Sequence, residues 1–236
     1  MRDAGAAMDL LPVALLAGIF GLDVVSFPQA MISRPIVAAT VGGAFFGAPV
    51  AGLACGAALE CLALESLPVG ASRYPEWGSA SIVAGAIAAH GATSTSMPLA
   101  AAFVVAVMVG IATAWFGGWC MVRLRRFIAS VARPRLDRIA AGSRRTVVGL
   151  QLFGMTADLI RGSLIGVAAY IPARVLVQLC EERWHAPEEL SRAVVVTCVA
   201  AVAATAVWKD FHAISLTRRI FLASLAVGTL LVVLRG

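Results

Sequence analysis

The sequence predicts an all-α polytopic membrane protein: a helical bundle with broken or re-entrant helices, built from two related halves. The first reason is composition, because 60% of the 236 residues are hydrophobic and only 14% are charged. A soluble domain carries about 25% charged residues, and the mean hydropathy of this chain is +0.89. The second reason is that several apolar runs approach or exceed the roughly 20 residues with which a helix crosses a bilayer. The third is that polar residues, glycine and proline interrupt the longest runs.

The predicted membrane segments are apolar regions at about residues 8–22, 35–72, 79–122, 146–180 and 193–235. We expect the first to be retained as a membrane segment. Asp3 and Asp9 accompany it and no small-residue cleavage site follows it, so the pattern does not indicate a removed signal peptide.

The second and third regions are too long for single spans, and each contains a break. Gly47, Pro49 and Gly52 interrupt the second, and the polar stretch "HGATSTSMP" (90–98) interrupts the third. Broken helices are tolerated in a membrane where the freed backbone groups lie against protein or line a cavity. We therefore expect these segments to face protein or a cavity.

Glycine spacing in the second region indicates close helix packing. Gly43 with Gly47, and Gly52 with Gly56, each form a G-x-x-x-G pattern. This spacing lets helix backbones approach closely in lipid, so we predict that the region needs a packing surface.

A basic segment divides the chain into an N-terminal membrane half (1–122), a basic cytoplasmic loop (123–145) and a C-terminal membrane half (146–236). The segment carries one aspartate and eight arginines, a net charge of +7 in a chain of net +6. The arginines are Arg123, Arg125, Arg126, Arg133, Arg135, Arg138, Arg144 and Arg145. A nucleic-acid patch is the alternative, but an arginine-rich loop between membrane segments is typical of the cytoplasmic side. No nucleic-acid partner is expected.

The remaining hydrophilic stretches complete the predicted topology. "EERWHAPEELSR" (181–192) follows one crossing after the basic loop and is placed outside, and "WKDFH" (208–212) returns to the cytoplasmic side. On the segment between, Asp158 and Arg161 are three residues apart on a predicted helix face, which indicates a salt bridge at the membrane border.

The chain shows no common catalytic or metal-binding pattern. H-E-x-x-H, G-x-S-x-G and P-loop motifs are absent from the sequence, and its three histidines are far apart. Five cysteines without a C-x-x-C pair do not indicate a disulfide framework or a zinc site. No cofactor is expected, and we interpret His90 as a packing or loop residue.

Residues 20–90 resemble the membrane-embedded C component (IIC) of the mannose-family sugar phosphotransferase systems. The motifs that carry the resemblance are "MISRPIV" (31–37), "GAPVAG" (47–52), Leu59–Glu60 and "LPVGAS" (67–72), in that order and spacing. The basic segment and "LQLFGMTADLIRGSL" (150–164) fit the family more loosely.

The resemblance implies a permease subunit of the bacterial cytoplasmic (inner) membrane, with many spans and no catalytic residues of its own. Such a subunit works with a second membrane subunit (IID) and with the soluble phosphocarriers IIA and IIB. The membrane pair binds a hexose or related sugar and moves it, and IIB supplies the phosphoryl group. An oligomer in the lipid bilayer is expected.

The resemblance also implies a substrate-binding set, which consists of Glu60, Arg34, Glu65, Gly70, Ala71 and Ser72. A carboxylate such as Glu60 can accept strong hydrogen bonds from two sugar hydroxyls, and Arg34 is its expected partner. Glu65 would point about 140° away from Glu60 on an unbroken helix. It is either a sugar ligand on an unwound segment or a segment-end residue that reaches water beside Pro68.

Two further hypotheses differ from the permease. One is a membrane scaffold that transports nothing and docks partners through its basic loop. The other is an intramembrane enzyme, which the sequence favours least because neither Asp23 nor Asp158 has a suitably spaced second carboxylate or histidine. Ala48 departs from the family pattern, since many relatives have an acidic residue there, and this leaves the choice of sugar open.

Overall fold

The protein, described here by a computed structural model, is a bundle of α-helices and confirms the predicted fold class. The structure describes residues 2–64, 73–94, 99–184, 187–211 and 215–235, and these ranges contain no strand. The helices are α1 (Arg2–Asp23), α2 (Pro35–Phe45), α3 (Pro49–Ala63), α4 (Trp77–Thr93), α5 (Leu99–Ala132), α6 (Leu136–Ala140), α7 (Arg144–Arg183), α8 (Glu188–Phe211) and α9 (Ser215–Arg235).

Three helical stretches in the described part of the chain are long and apolar enough to cross a membrane. They are Ala100–Ala140, Arg144–Arg183 and Glu188–Trp208. Little of α8 is buried, because many of its large apolar side chains point away from the bundle. Such outward apolar faces match a hydrocarbon environment, so the chain is a membrane protein.

The predicted break in the second apolar region is confirmed between α2 and α3. Gly47 has a φ of +84°, a left-handed conformation that glycine adopts without a steric penalty. Pro49 then occupies the first turn of α3, where the proline ring fits and no amide hydrogen is needed. Gly52, which we predicted to be part of the break, lies inside α3 instead.

Glycine contacts join α2 to α3 within this one chain. A Cβ atom on Gly43 would lie 2.7 Å from Gly52 Cα, and one on Gly56 would lie 2.7 Å from the Pro35 carbonyl oxygen. Gly47 belongs to the turn and not to this contact, so the predicted pairing of Gly43 with Gly47 as a packing motif is wrong. The glycine surface is already covered by the chain itself.

The basic segment is not a loop, which corrects the prediction from its charge. Helix α5 continues through Arg123, Arg125 and Arg126 to Ala132, and a 3-10 turn (Arg133–Arg135) leads into α6. Arginine is a good helix former, and charge alone does not end a helix. The interruptions fall at Pro134 and at Gly142, whose φ is +73°.

Helix α4 forms the centre of the bundle, and almost all of its residues are buried. It packs against α1, α2, α3, α5 and α7. Small residues on both sides allow these approaches: a Cβ atom on Gly85 of α4 would overlap the Ala39 carbonyl of α2, and one on Gly42 of α2 would lie 2.6 Å from the Ile82 carbonyl oxygen.

A polar contact near one end of this centre joins α1, α4 and α7. His90 Nε2 lies 2.5 Å from the Tyr170 hydroxyl oxygen, and that hydroxyl donates to Asp9 Oδ2 at 3.2 Å. The ring of Phe46 packs against both His90 and Tyr170. His90 is therefore a packing residue, as predicted, but one with specific hydrogen-bond partners.

Candidate functional site

The segment between α1 and α2 is held in shape by one buried carboxylate. Asp23 Oδ1 accepts a hydrogen bond from the Ala30 amide at 2.7 Å, and Oδ2 accepts one from the Ser33 amide at 2.9 Å. Gln29 and Met31 have positive φ values of 58° and 61°. Residues other than glycine rarely adopt this conformation, and such strained positions concentrate at ligand sites.

This segment forms one wall of a cavity of about 250 Å³, and the residues before α4 form another. The wall combines a carboxylate, an amide, a hydroxyl, a guanidinium and two aromatic rings. The lining residues are Asp23, Val24, Gln29, Met31, Ser33, Arg34, Pro35, Tyr74, Pro75 and Trp77. A few polar groups on a mainly apolar wall are typical of small-molecule sites.

Arg34 and Glu60 form the ion pair that the sequence predicted. The Arg34 guanidinium contacts Glu60 Oε1 through Nη2 and donates to it through Nε at 2.6 Å. Glu60 Oε2 accepts the Ile36 amide at 3.1 Å, which places its negative charge at the N-terminus of α2. Arg34 lines the cavity, whereas Glu60 lies behind it and holds Arg34 in place.

Four further residues were predicted for the site, and Ala48 was named as a departure from the family pattern. Glu65, Gly70, Ala71 and Ser72 lie outside the described residues. Ala48 lies at the turn before α3 and lines a separate apolar groove beside α8, not the polar cavity.

Tyr74 connects the cavity wall to α5. The Arg125 guanidinium lies over the Tyr74 ring at 5.0 Å from its centroid and donates a hydrogen bond to its hydroxyl. Next to it, the Trp77 indole N–H is buried and has no hydrogen-bond partner among the described residues. The wall therefore contains an aromatic ring that is fixed by Arg125.

A buried charge cluster lies beneath the cavity. Arg161 Nε donates to Asp158 Oδ1 at 2.8 Å, and Arg161 Nη1 lies 3.7 Å from Glu76 Oε2. The pairing of Asp158 with Arg161 is confirmed, and both residues lie inside the bundle, only 3% and 8% exposed. Its predicted position at the membrane border stays a prediction. Helices α1 and α4 cover this face of α7, which the helix spacing alone does not reveal.

The cluster reaches the cavity segment across the fold. Ser26 donates to Asp158 Oδ2 at 2.8 Å, and Arg161 Nη2 donates to the Gly21 carbonyl at 3.5 Å. Glu76 also accepts the Ser79 amide at 3.0 Å at the start of α4. Helix α7 thus positions the segment that carries Gln29 and Ser33.

Sequence reasoning missed most of the cavity wall. Asp23 was considered only as a catalytic acid, and Gln29, Ser33, Tyr74 and Trp77 were not singled out. One signal was available, because the wall residues flank the two motifs "MISRPIV" and "LPVGAS". Glu76 could have been noticed as an acidic residue directly before an apolar helix.

Comparison with known proteins identifies the family. The chain matches no curated protein. A family model described as the sorbose-specific IIC component of the phosphotransferase system matches residues 7–196, which extends well beyond the region where we saw the resemblance. This match confirms the resemblance to mannose-family IIC components, and the chain belongs to the family of sorbose-specific IIC components of the phosphotransferase system.

Proposed function

We propose that this chain is the sugar-binding permease subunit of a mannose-type, phosphoenolpyruvate-dependent phosphotransferase system. It binds a hexose or a related sugar in the cavity between residues 24–34 and 73–77 and carries it across the bacterial inner membrane. The family match supports a sugar permease component of the phosphotransferase system. The polar cavity among apolar helices is the observation that carries the assignment to this site.

The chemistry of the wall suits a polyhydroxy ligand. A carboxylate offers about four lone-pair positions, and the described amide contacts of Asp23 use two of them. Arg34 and Gln29 add donors that can bind hydroxyl oxygens.

The phosphoryl group comes from partners in this proposal. The chain works with a IID membrane subunit and receives the phosphoryl group from the soluble IIA and IIB proteins. Its own residues bind and orient the sugar, exclude competing solvent and open a path to the cytoplasmic side. No side chain of this subunit has to act as a nucleophile.

Glu60→Gln tests the site, because the change keeps the shape of the side chain and removes its charge. We expect sugar affinity to fall at least about tenfold, because Arg34 loses the charged partner that holds it at the cavity wall. The charge-assisted hydrogen bond between them contributes roughly 1.5–3 kcal/mol, and about 1.4 kcal/mol is a factor of ten. The measurement is a calorimetric titration of hexoses on the purified complex with its cognate IID subunit.

Glu189→Gln is the matched control, because it makes the same chemical change on an exposed residue at the start of α8. It should leave sugar affinity unchanged. A Glu60→Gln complex that assembles and binds sugar normally shows that sugar binding does not need the Arg34–Glu60 pair. Failure of that variant to assemble assigns the Arg34–Glu60 pair a structural role. A wild-type complex that binds no hexose or related sugar overturns the proposed function.

A further inference from the structure

The basic segment forms a helical projection, which we name the basic hairpin (residues 123–153). It consists of the end of α5, the 3-10 turn, α6 and the start of α7. Every residue from 122 to 157 is described, and none of them is buried. The two long arms touch each other, for example through the rings of Phe127 and Phe153 at 6.1 Å. The hairpin is therefore a surface that the rest of the chain does not cover.

Aromatic residues at the base of the hairpin mark the membrane boundary. Phe116 and Trp119 stack at 6.0 Å, and the Arg123 guanidinium lies 4.7 Å from the Trp119 ring centroid. Tryptophan beside arginine is typical of the headgroup level. From Trp119 to Ala132 the helix rises about 20 Å at 1.5 Å per residue. The headgroup layer of one leaflet is only about 5–8 Å thick, so the tip stands above the lipid in water.

The surface of the projection combines positive charge with exposed apolar side chains. Leu136 and Leu152 are each 58% exposed, so large apolar side chains lie beside the arginines on this surface. A groove of about 430 Å³ runs between the two arms. Its lining residues are Val131, Arg135, Arg145, Thr146, Gly149, Leu150 and Phe153. Apolar contacts ringed by arginine are typical of protein–protein interfaces.

The base of the hairpin touches the sugar cavity. Arg125 donates a hydrogen bond to the hydroxyl of Tyr74, and Tyr74 lines the cavity. A protein bound to the hairpin would lie beside the end of the cavity wall. This is the position that a phosphoryl donor must take to reach a sugar leaving toward the cytoplasm.

We propose that the basic hairpin is the docking surface for the soluble phosphocarrier that phosphorylates the sugar, bound through an acidic face of that protein. The inference rests on the proposed function. Carboxylates of the phosphocarrier pair with Arg135, Arg138 and Arg145, and an apolar side chain enters the groove. Arginine suits this contact because its planar guanidinium binds a carboxylate through two parallel hydrogen bonds. The net charge of +7 between residues 123 and 145 also steers an acidic protein toward the cavity.

The test measures binding of the purified cognate IIB protein to the assembled membrane complex in nanodiscs of phosphatidylcholine. The hairpin variant is Arg138→Gln with Arg145→Gln. The control variant, Arg218→Gln with Arg219→Gln, removes the same charge from exposed residues at the start of α9 on the same predicted side. We expect the Kd of the hairpin variant to rise about tenfold or more, as for arginines at the centre of an interface. The control should stay within about twofold of wild type, and salt should weaken the wild-type interaction.

Three results would overturn the proposal. The first is an unchanged Kd for IIB in the hairpin variant, and the second is an equal loss of IIB affinity in the control variant. The third is a hairpin variant that no longer binds anionic vesicles but still binds IIB normally. The last result would assign the arginines to lipid. Sugar affinity is measured on every sample, because Arg138 and Arg145 lie outside the cavity and should not affect it. Normal sugar binding with unchanged IIB binding rejects the docking surface alone. Absence of sugar binding in wild type rejects the proposed function itself.

Discussion

The Arg161 side chain compensates the charge of two buried carboxylates. It contacts Asp158 and Glu76, and both of these residues are almost inaccessible to solvent. Removing one partner from a buried ionic group is strongly destabilising, because a charge then remains in a poorly polar environment. The cluster also positions the cavity segment through Ser26 and Gly21. Arg161, for which the sequence predicted only a salt bridge with Asp158, thus supports both stability and site geometry.

We predict that Arg161→Gln destabilises the protein by about 3–5 kcal/mol, because Asp158 and Glu76 lose their cation. Thermal unfolding of the purified chain in mild detergent measures this change. Arg192→Gln is the control, since Arg192 makes a similar but solvent-exposed pair with Glu188 at 2.9 Å. It should leave the unfolding temperature unchanged.

Equal unfolding temperatures for Arg161→Gln and wild type would contradict the importance of the cluster. A second comparison adds Asp158→Asn and Glu76→Gln to Arg161→Gln. Because all three charges are then removed together, much of the lost stability should return.

Single residues of the site could be predicted where they belong to a local sequence pattern. Arg34 was identified as the partner of Glu60 because both belong to motifs of one short region, and the structure contains the pair. Asp158 and Ser26 are 132 positions apart, and no local spacing predicts their hydrogen bond. Asp23 likewise reveals its role only when the chain folds back and brings the Ala30 and Ser33 amides to it.

At the scale of elements, glycine and proline predicted the breaks better than charge did. The end of α2, the start of α3 and the end of α4 fall where the sequence placed interruptions. The basic segment was predicted as a cytoplasmic loop because an arginine-rich stretch between membrane segments is typical of that side. Its arginines instead continue two membrane helices into water, since backbone hydrogen bonds do not require apolar side chains.

We predict that Gly43→Ala disrupts the α2–α3 pair. The new methyl group would lie within 2.9 Å of Gly52 Cα, Gly52 N and the Ala48 carbonyl, all backbone atoms that cannot rotate away. Overpacking of this kind costs about 1–3 kcal/mol. The unfolding temperature in detergent should fall accordingly.

Gly149→Ala is the matched control for this change, because no atom lies within 4 Å of the added methyl group. Alanine favours an exposed helix over glycine by roughly 1 kcal/mol, so this variant should be at least as stable as wild type. Similar unfolding temperatures for the two variants would show that the glycine contact is not required.

The orientation of the helices gives a further prediction. The arginine excess places the basic hairpin in the cytoplasm, and α7 then carries the chain to the other side. In a background without the native cysteines, a cysteine at position 186 should react with an impermeant reagent added to intact cells. A cysteine at position 140 should react only after the cells are opened. The reverse pattern would invert the topology and remove the basis for cytoplasmic docking.

At the scale of the whole molecule, the last two helices are the least integrated. Helix α8 packs on α3 and α5, and α9 packs on α8. Much of their surface is exposed apolar side chains, which lipid or another membrane protein can cover. The predicted division into two related halves stays a prediction; α7, from the C-terminal part, packs against α1 and α4.

We predict that the chain functions only with its cognate IID subunit. Co-expression of the two should give a complex that survives mild detergent, measured by co-purification and size-exclusion chromatography. The glycine-rich segments predicted a need for a packing surface, but they are covered within the chain. The exposed faces of α8 and α9 support the prediction of a partner instead. Sugar transport by the isolated chain in proteoliposomes would contradict the subunit assignment.

Two polar contacts at different levels along the bundle limit how helices α1, α4 and α7 can move relative to one another. Asp9, His90 and Tyr170 form one contact, and Glu76, Asp158 and Arg161 form the other. They are separated by about 14–21 Å, because 9 positions lie between Arg161 and Tyr170 and 14 between Glu76 and His90, at 1.5 Å each. A slide of one helical turn, about 5.4 Å, would break both contacts at once. Helices α1, α4 and α7 are therefore joined at two levels, and we predict that they move together in any conformational change of the bundle.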